Sequence, residues 1–401
     1  MRYIEKICLK SIEYYFLLMA INGCLIMLGY GEYAKFDLLI MMSGFVVSFC
    51  AIYSGLYKIE IFLLLFGLSI AYLSLLNNYD GILWYDGCKS QLIPMLFFIV
   101  GRYSNSIVHY CIERGIKYFI IVCIIGLLLY VGNPDWYITY KMSIWEGVDD
   151  SINKILEMSR FSSFWRYPYW ISYGGAIIYA YTFFKSGQNG TILRKDYFLL
   201  GFIFCITILT QQRAPLLFII MITIIYLLSI RNSGRIFKKN LLFYLLLMIL
   251  FVIVVFSSMD EDMLLRLFDK VDIVANTNFL KERSDIFSSF YKKDISFLGD
   301  GIGRYSHLAY YKNSLSITDH QYMKILYETG FWGCFGYILI ICYAIFKGIN
   351  NLSQCKFELY IIFFYMIAMT GANCLCSFDQ HPIMFWMCCG SIVKKSKEKN
   401  I

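Results

Sequence analysis

Charge is what this chain has least of. Asp, Glu, Lys and Arg make up 16% of its 401 residues, against about 25% in an ordinary soluble domain. That shortage, with 59% hydrophobic residues and a mean hydropathy of +0.59, excludes a soluble globular protein. Strict alternation of polar and apolar residues is also missing; the apolar runs are continuous, which excludes a transmembrane barrel. There is no C-x-x-C and no Cys/His ligand spacing among the fourteen cysteines, so neither a disulfide framework nor a zinc site is indicated. Internal repeats and low-complexity segments are absent. Histidine is scarce, with four in the chain. The net charge of +8 does not point to nucleic acid, because the basic residues sit mostly in short loops and the tail.

What remains is a run of apolar segments long enough to cross about 30 Å of hydrocarbon. Lipid forces backbone groups to pair within the chain, so each segment is read as a helix. The expectation is an all-α, polytopic membrane bundle, one transmembrane domain over 1–401. Spans are expected at about 14–30, 36–54, 59–76, 91–103, 116–132, 168–184, 197–212, 214–230, 241–257, 320–346, 358–376 and 382–393. That makes about twelve, or ten to twelve if the short runs at 91–103 and 382–393 are tilted or re-entrant. The first reads as an uncleaved signal anchor. Cytoplasmic loops of membrane proteins are rich in Lys and Arg. The short loops and termini on one side hold twenty such residues; those on the other hold three, Lys35, Lys89 and Arg213. Both termini are therefore expected in the cytoplasm.

Two long loops fall on the outer side, 133–167 and 258–319. A long loop is usually functional or disordered. The second carries aromatics and amphipathic spacing at 262–274 and 278–291, so it reads as a folded cap. Cys88 is the one cysteine placed clearly in an outer loop. His307, His320 and His381 also fall outside. His320 starts a helix beside Asp319, and Asp319 is read either as a helix cap or as an acid/base group. Arg213 interrupts an apolar stretch, Thr210-Gln211-Gln212-Arg213-Ala214, either as a snorkelling end or lining a polar cavity. Arg160, Arg166, Arg213 and Arg283 present the planar forks that match phosphate oxygens, and Arg304 lies in the same large loop. Gly299-Asp300-Gly301-Ile302-Gly303 is only superficially a phosphate loop. Without a preceding strand or a following Lys-Ser/Thr, it reads as a turn that brings backbones close.

At these residues the sequence resembles the O-antigen polymerase and ligase superfamily of polytopic, GT-C type glycosyltransferases. Thr210–Leu217 resembles the family's Thr-x-Ser-Arg-Gly stretch, with Gln212 and Ala214 in place of Ser and Gly. Arg160 to Pro168 resembles its Arg-rich entry to the next span. Glu282-Arg283 is similar to the Arg before the Gly-x-Gly turn, here Gly301-Ile302-Gly303. Asp319-His320-Gln321-Tyr322 with Leu326, Glu328, Gly330 and Gly333 resembles the pattern after it. Counting back from Gly330 puts Asp319 and His320 at the His-Asn pair of the ligase branch, and the Asp-x-x-Tyr form looks more like the polymerases.

The resemblance implies a donor glycan on undecaprenyl diphosphate, a second lipid-linked repeat unit as acceptor, and a chain-length regulator among the partners, with membrane lipid around it. His320 or Asp319 would serve as base, and the arginines would hold the diphosphate. No sugar nucleotide, cofactor or metal is required; Asp260-Glu261-Asp262 opens a predicted helix, where acids complement the helix N-terminus. A ligase acting on lipid A and a flippase of lipid-linked sugars stay open as alternatives.

Overall fold

The computed structural model describes residues 2–31, 33–77, 80–143, 160–165, 168–188, 193–229, 295–306, 309, 317, 320–375 and 382–398. Among them the regular structure is helical throughout, without strands. In chain order the helices are α1 (Arg2–Glu13), α2 (Tyr15–Met27), α3 (Phe36–Tyr53), α4 (Lys58–Leu76) and α5 (Gly81–Gly87). A π-helical turn at Cys88–Leu92 and a short turn at Ile93–Met95 lead into α6 (Phe97–Tyr103). Then come α7 (Ile107–Gly132), α8 (Asp135–Met142), α9 (Tyr169–Gln188), α10 (Arg194–Thr210), α11 (Arg213–Ser229), α12 (Gln321–Ile349), α13 (Leu352–Ala368) and α14 (Pro382–Glu398). Cys88 thus opens the π-helical turn and is half-buried, rather than lying in a loop.

Four of these helices, α3, α4, α7 and α12, are long and apolar enough to cross a membrane, and the α1–α2 pair, bent by 66°, makes a fifth if it is one broken span. The rest fall short in length or apolarity, and the expected span at 241–257 lies outside the described residues. Exposed apolar residues form seams on the long helices. On α12 the seam is Phe331, Phe335, Ile338, Phe346 and Ile349; on α4 it is Ile61, Leu65, Leu68, Tyr72 and Leu76. Spacings of three and four residues keep such side chains on one helical face, which suits contact with lipid.

The chain divides into two compact units, Met1–Phe119 with Ile295–Ile401, and Ile120–Asp294. In the first, α14 is the centre: nearly every residue from Pro382 to Val393 is buried, against α6, α12 and α13. Lipid is as apolar as a leucine side chain, so close van der Waals packing has to hold such a helix in place. Glycines allow it here. A Cβ on Gly390 would collide with the Phe98 carbonyl, and one on Gly101 with the Met387 carbonyl. Helix starts in this unit are built locally. Glu60 reaches back to the Tyr57 N–H at 2.7 Å, and Asp80 accepts from Ile82 N at 2.8 Å. In the second unit α9 is the buried helix, lying on α10 and α11.

Candidate functional site

The 29-residue helix α12 is not continuous. Gly330 sits at φ 65°, ψ −167°, a conformation open to glycine and costly to other residues. The seam of exposed apolar residues begins only after this break, while the turns before it are mostly buried. A helix that stops leaves its last carbonyls without partners. Here the glycine loop supplies them: Asp300 N donates to Tyr327 O at 2.8 Å, and Gly301 N to Glu328 O at 2.9 Å. Trp332 N returns a bond to Phe297 O at 3.1 Å. The two backbones lie so close that a Cβ on Gly299 or on Gly330 would overlap the other strand of the crossing.

The Glu328 carboxylate, fully buried, pins the far side of that loop. It accepts from Tyr305 N at 2.9 Å, from the Gln91 amide in the π-helical turn and from the backbone of Gly303, with buried Lys324 one turn away on α12. Ser74 accepts from Ile302 N at 3.0 Å, and Asn77 donates to Gly299 O at 2.9 Å. Gly299 N, Arg304 N and Ser306 N bond within the loop itself. Each N–H from 299 to 306 therefore has a protein acceptor. Such a loop has no backbone donors left to cradle a phosphate, which agrees with the close-approach turn read from the sequence. It presents the side chains of Asp300 and Arg304, both half-buried. Tyr305 OH donates to Asp300. Burial, then the Asp300 contact, push that phenol well above its ordinary value, so it stays a donor.

His320 caps α12. Its backbone is extended, and its Nδ1 accepts from Met323 N at 3.3 Å. Burial lowers the imidazole from its ordinary value, so the ring is neutral near pH 7. Next to it, Gln321 is buried and double-tied: its N–H donates to Met369 O at 3.0 Å, and its side-chain oxygen accepts from Leu375 N at 3.1 Å. Ile317 N donates to Tyr305 O at 3.1 Å. The structure thus brings Asp300, Arg304 and Glu328 into one cap in the first unit, with His320 about two turns earlier on α12 and three residues from the Ile317–Tyr305 bond.

The second unit holds Arg160 and Arg213. Helix α8 turns Tyr137, Tyr140 and Lys141 to one face, as their spacing requires. All three donate to carbonyls of the buried segment 160–165: Tyr137 to Ser163 at 2.9 Å, Tyr140 to Phe164 at 2.8 Å and Lys141 to Arg160 at 2.7 Å. Trp165 stacks on Trp170 at 3.9 Å. Phe161 N donates to Leu209 O at 2.9 Å, which ties the Arg160 segment to the end of α10. Gln211 there adopts φ 55°, and Arg213 begins α11, exposed. Arg213 therefore stands at a helix end.

Asp319, Arg166, Arg283, His307 and His381 lie outside the described residues, as do the expected helical stretches at 262–274 and 278–291; in the first long loop α8 is described. The sequence reading gave Gln91 and Tyr305 no role, and Glu328 only a place in a pattern. Gln91 carried a signal, an amide inside an apolar run; Tyr305, one of 34 tyrosines, carried none. Among the described residues no three His, Cys, Asp or Glu gather as a metal ion would need. Comparison of the chain with family models, curated proteins and solved structures returns no match.

Proposed function

We propose that the chain polymerises oligosaccharide repeat units carried on undecaprenyl diphosphate, as a glycosyltransferase of the bacterial cytoplasmic membrane working at its outer face. In this reading about twelve helices span the membrane in a GT-C-like arrangement, with both termini in the cytoplasm. The observation that carries it is the cap on the broken helix. A chain whose long helices carry exposed apolar seams also keeps a locked polar platform, from which Asp300, Arg304 and His320 extend. The pairing of charges supports the orientation. Each ion pair among the described residues joins two residues that the Lys and Arg count assigns to one side. Arg102–Glu60 at 2.6 Å, Arg114–Glu13 at 2.9 Å and His109–Glu358 at 3.3 Å belong to the inner set, with Lys394–Glu398 and Lys395–Glu358; Lys89–Asp37 at 3.8 Å belongs to the outer.

The chemistry is displacement at an anomeric carbon. The acceptor's hydroxyl oxygen forms the new bond as its proton leaves to a base. The bond to the lipid diphosphate breaks with its electron pair, and cations take up the charge that develops. Arg304, half-buried on the cap, suits that second task; Arg160, Arg166, Arg213 and Arg283 are the further candidates read from the sequence. His320 and Asp319 are the acid/base candidates read from the sequence.

Deleting the gene from its host tests the reading. Cells without it should display single repeat units on their surface, and a plasmid copy should restore the ladder of longer chains. Finished polymer accumulating untransferred on the lipid carrier would indicate a ligase instead. Complete loss of displayed units would indicate a flippase.

A further inference from the structure

The cap on α12 assigns an unexpected division of labour between His320 and the glycine loop. A neutral imidazole has one donor nitrogen and one acceptor nitrogen. At His320 the acceptor is Nδ1, because it receives the Met323 N–H at 3.3 Å. On the geometry of that cap we assign the ring proton to Nε2. A ring in that tautomer gives a hydrogen bond from Nε2 and cannot accept a proton there. It could accept one at Nδ1 only by giving up the helix cap. His320 is thus built to donate, and the base must be found elsewhere in the platform.

We infer that Asp300, oriented by Tyr305, takes the proton of the acceptor hydroxyl; this rests on the polymerase reading above. Three observations carry it. Asp300 is a half-buried carboxylate on a loop whose backbone N–H groups from 299 to 306 are bonded within the protein. Its own backbone is held to Tyr327 O at 2.8 Å, and its side chain by the Tyr305 hydroxyl. Tyr305 is in turn anchored from its N–H to Glu328 at 2.9 Å and from its carbonyl to Ile317 N at 3.1 Å, three residues before His320. A general base gains from such immobilisation, since reacting groups must be aligned before the step. In the step, the hydroxyl proton passes to the Asp300 carboxylate and the oxygen bonds the anomeric carbon. The electron pair of the breaking C–O bond leaves with the diphosphate. Asp300 is then the catalytic residue; Tyr305 positions it.

The experiment uses full-length protein in membranes from the host, which carry the host's own lipid-linked repeat units as substrate. Chain extension is followed against pH, per molecule of folded protein. Asp300→Asn should lower turnover about 100-fold or more, within the range for a lost general base, and should flatten the acidic limb of the profile. Asp300→Glu should retain measurable extension with an acidic limb. Tyr305→Phe should keep most turnover but move that limb to higher pH, because removing a donor weakens the charged form of a carboxylate. Wild-type extension by Asp300→Asn would overturn the inference and leave the polymerase reading intact. If Asp300→Asn does not accumulate, a Tyr305→Phe profile identical to wild type would overturn it equally. Wild-type membranes that extend no chain would sink the polymerase reading, and the inference with it.

Discussion

His320 does two things that substitution can separate. Asparagine is among the best N-cap residues, and its side-chain oxygen can take the Met323 N–H as Nδ1 does. His320→Asn should therefore leave protein level near wild type while the surface ladder collapses, whereas His320→Ala should also lose about 1 kcal/mol of stability with the cap. A full ladder from the Asn variant would mean that the ring only caps. The cap also responds to pH. Burial lowers the folded-state imidazole pKa, so its stabilisation is fully present above the ordinary value of about 6.5. It is lost as pH falls through the lower folded value, because a protonated Nδ1 has no lone pair for Met323. The protection factor of the Met323 amide, which removes the intrinsic pH dependence of exchange, should fall from pH 7.5 to pH 5 in wild type but not in His320→Asn. Arg213 poses the opposite problem: it starts α11, where the helix dipole disfavours a cation by about 0.3–1 kcal/mol. Helix stability thus gives no reason for its presence. Arg213→Lys should melt at the wild-type temperature yet lose much of the ladder, since a point charge cannot replace a fork. A normal ladder from that variant would reduce Arg213 to a snorkelling anchor.

The break in α12 shows where an element was legible and where it was not. Apolar residues continue through Gly330, and glycine is common in membrane helices, so 320–346 reads as one span. Only the loop from Phe297 to Gly301, which takes the carbonyls freed at the break, reveals that two helices meet there. The loop's own character was readable, because three glycines at alternate positions with no lysine after them make a poor phosphate cradle. Its anchor was not: Gln91 and Glu328 stand 237 residues apart, and no local pattern pairs them. Likewise α14 looked short enough to be re-entrant, whereas burial on all sides is what its unbroken apolar run supports. Gly330→Ala would need a positive-φ, extended-ψ backbone that is essentially reserved for glycine, at about 1–3 kcal/mol, and would drive a methyl into the Phe297 carbonyl. We expect it to open the cap, lowering the melting temperature in detergent and exposing 295–306 to protease. Gly371→Ala, at a position with open space around it, is the control and should behave as wild type. A Gly330→Ala protein as stable as that control would show that the crossing can relax.

At the scale of the whole molecule, sidedness decides whether any of this chemistry can meet its substrate. Lipid-linked repeat units are displayed on the outer face in the proposed reaction, so Asp300, Arg304 and His320 must face outward. Two features bear on that. One is the excess of Lys and Arg, twenty against three, in the short loops and termini assigned to the cytoplasm. The other is that ion pairs among the described residues join partners assigned to the same side, whichever face that side is: Arg102 with Glu60 and Arg114 with Glu13 in one set, Lys89 with Asp37 in the other. The first was legible in the sequence. The second was not, because Glu60, Glu13 and Asp37 pair with residues distant along the chain, Arg102, Arg114 and Lys89, and only folding brings them together. Reporter fusions test the arrangement directly. Fusions at Asn189, Ser233 and Gln354 should report cytoplasm, and fusions at Asp149 and Asn276 the outer side. Gln354 is the most informative inner site, because its carbonyl accepts from Lys395 at 3.2 Å, which puts it in the same charged cluster as the Lys-rich tail. A cytoplasmic signal at Asn276 would place the loop leading to Asp300 on the wrong face for a lipid-linked donor. The cap would then need a cytosolic substrate, and the polymerase reading would fail together with the assignment of Asp300.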